Sequence, residues 1–322
     1  MSQVETVRGT VEVDTLGRTL MHEHVFVLTS DVQNNFPAEW GSEDERIADA
    51  VSRLREVAAA GYSTIVDPTV MGLGRYIPRI ATIAEQVPDL NIVVATGAYT
   101  YTDVPFFFTH RGPGMSPDLP EPMVEMFTAD ITTGIGGTGV KAGLLKCAID
   151  KPGLTPGVER ILRAVGATHL QTGTPITVHT HPGSQTGLVV KRVLVDELGV
   201  DPGRVVLGHS GDSTDADHLS ELAEAGFLLG MDRFGINLET TFEARADIVV
   251  ELCRRGYAER MVLSHDAACY IDWVDPNLLP LLPQWNFLHI ENDVLPYLRE
   301  HGVSQEQITA MLVENPRRYF AA

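Results

Sequence analysis

Eight short apolar runs constrain the fold of this chain more than any other feature. They cover residues 19–26, 63–67, 91–96, 143–149, 175–180, 204–210, 227–233 and 261–266. Each is rich in Val, Ile or Leu and continuous rather than alternating, the pattern of a parallel strand covered on both faces. Between them the chain takes up a helical period. Ser42 with Glu45 three residues on reads as a capping box, opening a helix through Ala60 with Ile47, Val51, Leu54 and Val57 on one face and Gly61 as its stop. Residues 156–171 carry Val158, Ile161, Leu162 and Val165 at similar spacing, and 188–198, 217–225 and 242–254 repeat the theme. Eight strands alternating with helices over 322 residues predict an α/β chain folded as a (β/α)8 TIM barrel. An open doubly wound sheet is the competing arrangement. Its glycine-rich phosphate loop is missing after the first strand, where the chain reads His-Glu-His-Val-Phe.

No linker, low-complexity run or repeat divides the chain. This predicts a single domain over 1–322, with a barrel core at about 19–320 and a small N-terminal hairpin over 4–13. Two stretches break the short-connection rule. One is 101–120, rich in Phe, Pro and Gly; the other is the long loop after strand eight, 267–285, with Pro276, Pro280, Pro283 and two tryptophans. Loops of this length in a compact domain are usually functional or disordered, and their aromatic and apolar content favours the ordered wall of a pocket.

Composition narrows the partners. With 43 acidic against 24 basic residues the net charge is −19, which argues against a nucleic-acid partner, because phosphate backbones are bound by clustered Lys and Arg. The apolar runs fall far short of the ~20 residues of a membrane span. The N-terminus has neither the basic start nor the apolar core of a secretory signal. Cys147, Cys253 and Cys269 are an odd number at wide spacing, which fits a reducing compartment better than a disulfide framework. The expectation is a cytoplasmic globular protein acting on something small, with no nucleic-acid or membrane partner.

A barrel places its active site at the C-terminal ends of its strands. The first run ends in His22-Glu23-His24, and residues i and i+2 of a strand share a face. The fourth contains Lys146, the fifth ends at His179, the sixth reaches His209 and the eighth ends at Asp266. Four histidines, a lysine and an aspartate thus converge on one rim. Imidazole and carboxylate suit Zn-like divalent ions, and six ligands exceed one tetrahedral site. Two metals sharing a bridge is the economical reading. His110, His169, His218, His289 and His301 fall in loops or helices and receive no chemistry. His181 is a competing ligand, ranked behind His179 because it lies past the strand beside Pro182. His265 is expected to point away from Asp266 and to pack.

Lys146 is the most informative of these residues. A charged amine in an apolar strand costs several kcal/mol unless paired. An acidic partner, a depressed pKa with Schiff-base chemistry, or carboxylation by carbon dioxide each avoids that cost. The surrounding histidines and aspartate favour carboxylation, giving N6-carboxylysine, whose two oxygens can each bind a metal.

With these motifs in view, the chain resembles the amidohydrolase superfamily and, within it, the phosphotriesterase-like lactonases. The resemblance runs from about residue 19 to 319. It is carried by TLMHEHVF, DPTVMGLGR, ATGAYTY, the Lys146 strand followed by DKPGLTPGVER, PITVHTH, GHSGD, GMDRFG and LSHDA. It implies that carboxylated Lys146 bridges two divalent metals, Zn by expectation with Co, Mn or Fe also compatible. His22, His24 and Asp266 would hold the more buried metal, His179 and His209 the more exposed one. It also implies that Tyr99 and Arg233 stand near the substrate, whereas true phosphotriesterases carry a histidine at the Arg233 position as a proton relay. The loop after strand eight is implied to cover an acyl chain, with Ala268, Ile271, Trp273 and Leu279 as lining. Members of the family are commonly homodimers.

The expected activity is lactone ring opening, above all of N-acyl homoserine lactones (quorum quenching), with weak phosphotriesterase activity. Phosphotriester hydrolysis or metal-dependent amide hydrolysis as the main reaction are the alternatives. Metal coordination lowers the pKa of water from ~15.7 to about 7. Asp266 is then the expected proton acceptor, and Tyr99 orients the substrate or stabilises developing charge. Asp212, three residues after His209, is expected to pair with Arg233; its competing role is a helix N-cap before the Asp215 segment.

Overall fold

The computed structural model describes residues 2–238 and 240–321. A hairpin pairing Gln3–Thr6 with Gly9–Glu12 comes first. Eight parallel strands follow: β1 (Thr19–Leu20), β2 (Thr64–Asp67), β3 (Asn91–Gly97), β4 (Leu144–Ile149), β5 (Ile176–Thr180), β6 (Val205–Gly208), β7 (Leu228–Met231) and β8 (Met261–Leu263). They neighbour one another in chain order. The Met21 N–H donates to the Leu263 carbonyl at 3.4 Å and joins the two edges. The sheet therefore closes into the (β/α)8 barrel that the alternation predicts.

The surrounding helices include α1 (Glu43–Ala59), α2 (Ile77–Gln86), α3 (Pro122–Thr132), α4 (Pro156–Thr172), α5 (Ala216–Glu224) and α6 (Phe242–Arg254). The Ser42 side chain caps α1 by accepting the Glu45 N–H, and Gly61, at φ +90°, turns the chain away after it. Among the described residues no helix is long and apolar enough to cross a membrane.

The strands are buried on both faces, and the period of two sorts their side chains. Ile92 and Val94 of β3 belong to the apolar cluster that includes Leu54 of α1, Ile80 of α2 and Val165 of α4, so they lie under the helices. Val93 and Ala95 belong to a second cluster with Val66, Leu144, Val206, Leu228 and Val262, which fills the lumen. This parity decides which polar residues face inward. Lys146 shares the side of Leu144, and His179 stands opposite the side of Val178. Gly97 brings β3 close to Lys146: a Cβ there would lie 1.9 Å from the Lys146 carbonyl oxygen, so only glycine fits.

Three sequence expectations are corrected. The run 19–26 is not one strand: pairing in the barrel ends at Leu20, and a separate strand, His24–Val27, pairs in parallel with Ala268–Ile271. The segment 267–285, expected to be loop throughout, therefore begins with a strand. The eighth strand stops at Leu263 rather than Asp266. Asp266 has φ +53°, a left-handed conformation that no ladder accepts, and the N–H groups of His265 and Ala267 are taken by the Glu23 side chain instead of a neighbouring strand.

Candidate metal centre

A cleft of about 750 Å³ opens at the C-terminal ends of the strands. His22, His24, Lys146, His209 and Asp266 line its buried end. Nε2 of His24 lies 3.2 Å and Nε2 of His22 3.5 Å from Oδ1 of Asp266. Nζ of Lys146 is 3.2 Å from Nε2 of His22. The His209 ring centre is 4.9 Å from that of His22 and 4.5 Å from that of His179. The structure thus brings together all six residues singled out as ligands. Among the described residues, two trios of ligand atoms lie within 4.8 Å of one another: His22 with His24 and Asp266, and His22 with His209 and Asp232.

Each histidine is oriented through its other ring nitrogen. His22 Nδ1 lies 2.9 Å from Asp232 Oδ2, and His209 Nδ1 lies 3.1 Å from the other oxygen of the same carboxylate. His24 Nδ1 is 2.7 Å from the Thr69 hydroxyl, which in turn bonds Asp67. His179 Nε2 bonds the Asp150 carboxylate. On His179 the opposite nitrogen faces the Tyr99 hydroxyl. A carboxylate accepts from a proton-bearing nitrogen, so the bonds of His22 and His209 to Asp232 turn their opposite nitrogens, as lone-pair donors, into the site. This is the arrangement a metal-ligating imidazole requires. The donor set fits two divalent cations of the Zn type.

The electrostatics agree with that fit. Burial lowers the Lys146 amine to about 8, so a substantial neutral fraction is available for reaction with carbon dioxide near neutrality. Burial lowers His179 to about 4 and His209 well below the ordinary range. Burial would also lower His24, but its hydrogen bonds to Asp266 and Asp67 outweigh this and raise it to about 9. Asp266 is pushed upward by burial, yet His22, His209, His24 and Arg233 together hold it well below the usual carboxylate range.

Around this end stand the other expected residues. Arg233 Nε donates to Asp266 Oδ2 at 2.9 Å, and its Nη1 donates to Asp212 Oδ2 at 3.0 Å. Asp212 therefore pairs with Arg233; the cap of α5 is Asp215. Buried Arg245 holds the other oxygen of Asp212. The Tyr99 hydroxyl is 3.0 Å from His179 Nδ1 and 2.6 Å from the Tyr101 hydroxyl. His181 stands on the cleft wall, its Nδ1 2.9 Å from the Ser184 hydroxyl; neither it nor His179 belongs to the two close ligand sets.

Ala268, Ile271 and Trp273 line the cleft, and Leu279 does not. Residues 279–281 form one turn of 3-10 helix. Leu278, Leu281 and Leu282 line the cleft, and Leu279 is not part of that lining. Of the stretch 101–120, expected to form a pocket wall, only Tyr101 contributes to the described lining.

Sequence reasoning missed Asp232, Asp150, Asp67 and Thr69. The parity signal was present for Asp232, which continues the lumen side of Leu228 past the end of β7. An acidic residue at an apolar strand end is the feature that singled out Asp266.

A family model described as the phosphotriesterase family matches residues 2–320. A Mycobacterium tuberculosis protein named phosphotriesterase homology protein is 56% identical over 321 residues, covering 99% of this chain and 98% of its own. A Saccharolobus solfataricus protein named aryldialkylphosphatase is 37% identical over 317 residues, covering 98% of both chains. A solved structure described as the phosphotriesterase from Mycobacterium tuberculosis superposes with a TM-score of 0.96 at 56% identity, over 99% of this chain and 98% of that one.

Proposed function

Since the chain belongs to the phosphotriesterase family, we propose that it is a binuclear-metal hydrolase that opens lactone rings, foremost those of N-acyl homoserine lactones, with weaker hydrolysis of phosphotriesters. One observation carries the lactone reading: the cleft joins a ligand-rich polar end to an apolar mouth. That mouth is built by Leu238, Trp273, Leu278 and Leu281, which stand 74%, 45%, 51% and 71% exposed around an open cleft. Large apolar side chains left uncovered at a rim mark a binding surface. A small polar ring carrying an acyl chain matches both ends at once.

Two divalent cations held by His22, His24, carboxylated Lys146, His179, His209 and Asp266 would supply activated water and polarise the carbonyl under attack. The chain's own groups do the rest. Asp232, Thr69 and Asp150 fix the ring orientations of four imidazoles, each through one ring nitrogen. Arg233 Nε grips Asp266 Oδ2 and fixes the rotation of the carboxylate proposed to pass a proton from water to the leaving alkoxide. The Tyr99 O–H, kept protonated by burial, points its polar tip at the reacting end beside His179. Trp285 ties the apolar segment to the centre by donating its indole N–H to the Asp266 carbonyl at 3.0 Å.

The test compares one metal-loaded sample across acyl homoserine lactones of increasing chain length, paraoxon and an N-acyl amine. Faster turnover of long-chain lactones is the expected result, and a clear preference for paraoxon or the amide overturns it. Phosphotriester hydrolysis as the main reaction is the second reading, favoured by the 37% identity to the protein named aryldialkylphosphatase. Arg233, where true phosphotriesterases carry histidine, weighs against it.

A further inference from the structure

Glu23 lies between two histidines of the centre, yet its side chain turns away from them and is fully buried. Its Oε1 accepts hydrogen bonds from the Ser264 hydroxyl at 2.7 Å, the His265 backbone N–H at 3.0 Å and His265 Nδ1 at 2.6 Å. Its Oε2 accepts the Ala267 N–H at 3.1 Å. The Ile290 N–H donates to His265 Nε2 at 2.9 Å, so that nitrogen is bare and Nδ1 carries the proton given to Glu23. His265 is therefore a linker between Glu23 and the chain at Ile290, rather than mere packing.

The residue enclosed by these bonds is Asp266. Its own N–H donates to the His22 carbonyl at 3.0 Å, and the His22 N–H donates to the Ser264 hydroxyl at 2.8 Å. The backbone donors of 265, 266 and 267 thus all end on residues 22 and 23. Asp266 is held at φ +53°, a region that side-chain-bearing residues rarely occupy unless their surroundings impose it. Barrel strands β1 and β8 meet here beyond their last ladder bond, so these side-chain contacts replace the missing ladder.

We propose that Glu23 is a positioning residue whose carboxylate, clamped on Ser264, His265 and Ala267, holds Asp266 in the left-handed conformation that turns its carboxylate toward His22 and His24. The inference rests on the metal-centre reading above. The clamp couples the first strand end, which carries two imidazoles, to the last, which carries the carboxylate. Three ligand groups are preorganised before any cation arrives.

Glu23→Gln tests it, because the side chain keeps its volume while one oxygen becomes an amide that meets N–H donors. Wild-type protein and variant are compared by elemental analysis, by chelator competition and by crystal structures of the metal-free proteins. The expected result is two metal equivalents in the wild type. In the variant, one equivalent binds about 10- to 100-fold more weakly, kcat falls with little change in KM, and Asp266 leaves its left-handed conformation. A folded variant that loads both metals as tightly as wild type, whatever its melting temperature, overturns the proposal. Ser264→Ala and His265→Asn each remove one contact and stand in if Glu23→Gln does not fold; unchanged affinity in both also overturns it. Wild-type protein that takes up no transition metal sinks the metal-centre reading instead. The position of Asp266 in metal-free Glu23→Gln still decides the clamp, since an unmoved Asp266 refutes it.

Discussion

One guanidinium spans two carboxylates: Arg233 gives its Nε–H to Asp266 at 2.9 Å and its Nη1 to Asp212 at 3.0 Å. Asp212 is in turn anchored by buried Arg245. The alternation of charge lets Arg245 be buried and the others half-buried, and the planar fork sets the rotation of Asp266. A lysine keeps the charge but has no fork. Arg233→Lys should therefore fold and load metal, yet lose on the order of 10- to 100-fold in kcat/KM toward lactones. Steady-state kinetics checks this, and a loss under twofold would refute the role of the fork.

Lys146 should carry the pH dependence of metal loading. Carbon dioxide reacts with the neutral amine, and a pKa of about 8 leaves roughly one amine in ten neutral at pH 7. Reconstitution of metal-free protein with Zn should accelerate between pH 6 and 8 and on adding bicarbonate. Rates that ignore both would exclude the carbamate.

The same burial has a stability consequence. The folded pKa of Lys146 lies below its unfolded value of 10.5, so the group opposes folding most below pH 8, and the penalty is relieved as pH rises from 8 toward 10.5. Lys146→Met should abolish activity while raising the melting temperature of the metal-free protein by a few degrees at pH 7. Calorimetry on chelator-treated samples reads the sign.

Metal removal should destabilise the protein and cost protons on reversal. His24 is raised to about 9 in the metal-free chain and must release a proton to bind a cation. Affinity should fall about tenfold per pH unit below about 9 for the proton that His24 gives up. Saturation at a thousandfold excess over Kd should contribute about 4 kcal/mol of stability. Titration calorimetry in two buffers of different ionisation enthalpy measures the protons.

Chain-length preference should follow from the apolar mouth. Each methylene buried on Trp273, Leu278 or Leu281 is worth about 0.8 kcal/mol, close to fourfold in kcat/KM. Rates should climb with acyl length until the chain overruns the rim. Trp273→Ala should flatten that slope while leaving the shortest lactone nearly unchanged; a uniform loss at all lengths would place Trp273 in the chemistry instead.

Much of this molecule is legible in one dimension. Apolar continuity marks the strands because both faces of a barrel strand are buried. The placing of Lys146, His179, His209 and Asp266 within the apolar runs or at their ends is readable in the same way, whereas the clusters of the folded barrel decide which parity faces the lumen. The partners of the ligands are different. Asp232 serves His22 and His209 from 210 and 23 residues away, and Asp150 reaches His179 from just past the end of the neighbouring strand β4. Such pairings depend on strand register and chain reversal, which no local pattern encodes.

Composition, spacing and strand parity alone thus determined a closed parallel barrel with an imidazole-rich rim, since burial and side-chain period are properties of short segments. Only the tertiary structure decided that the first strand breaks after Leu20, that Leu278 and Leu281 rather than Leu279 face the cleft, and that Glu23 grips the turn around Asp266. Those outcomes depend on where backbone donors find acceptors once distant strand ends meet, and that competition exists only in the folded chain.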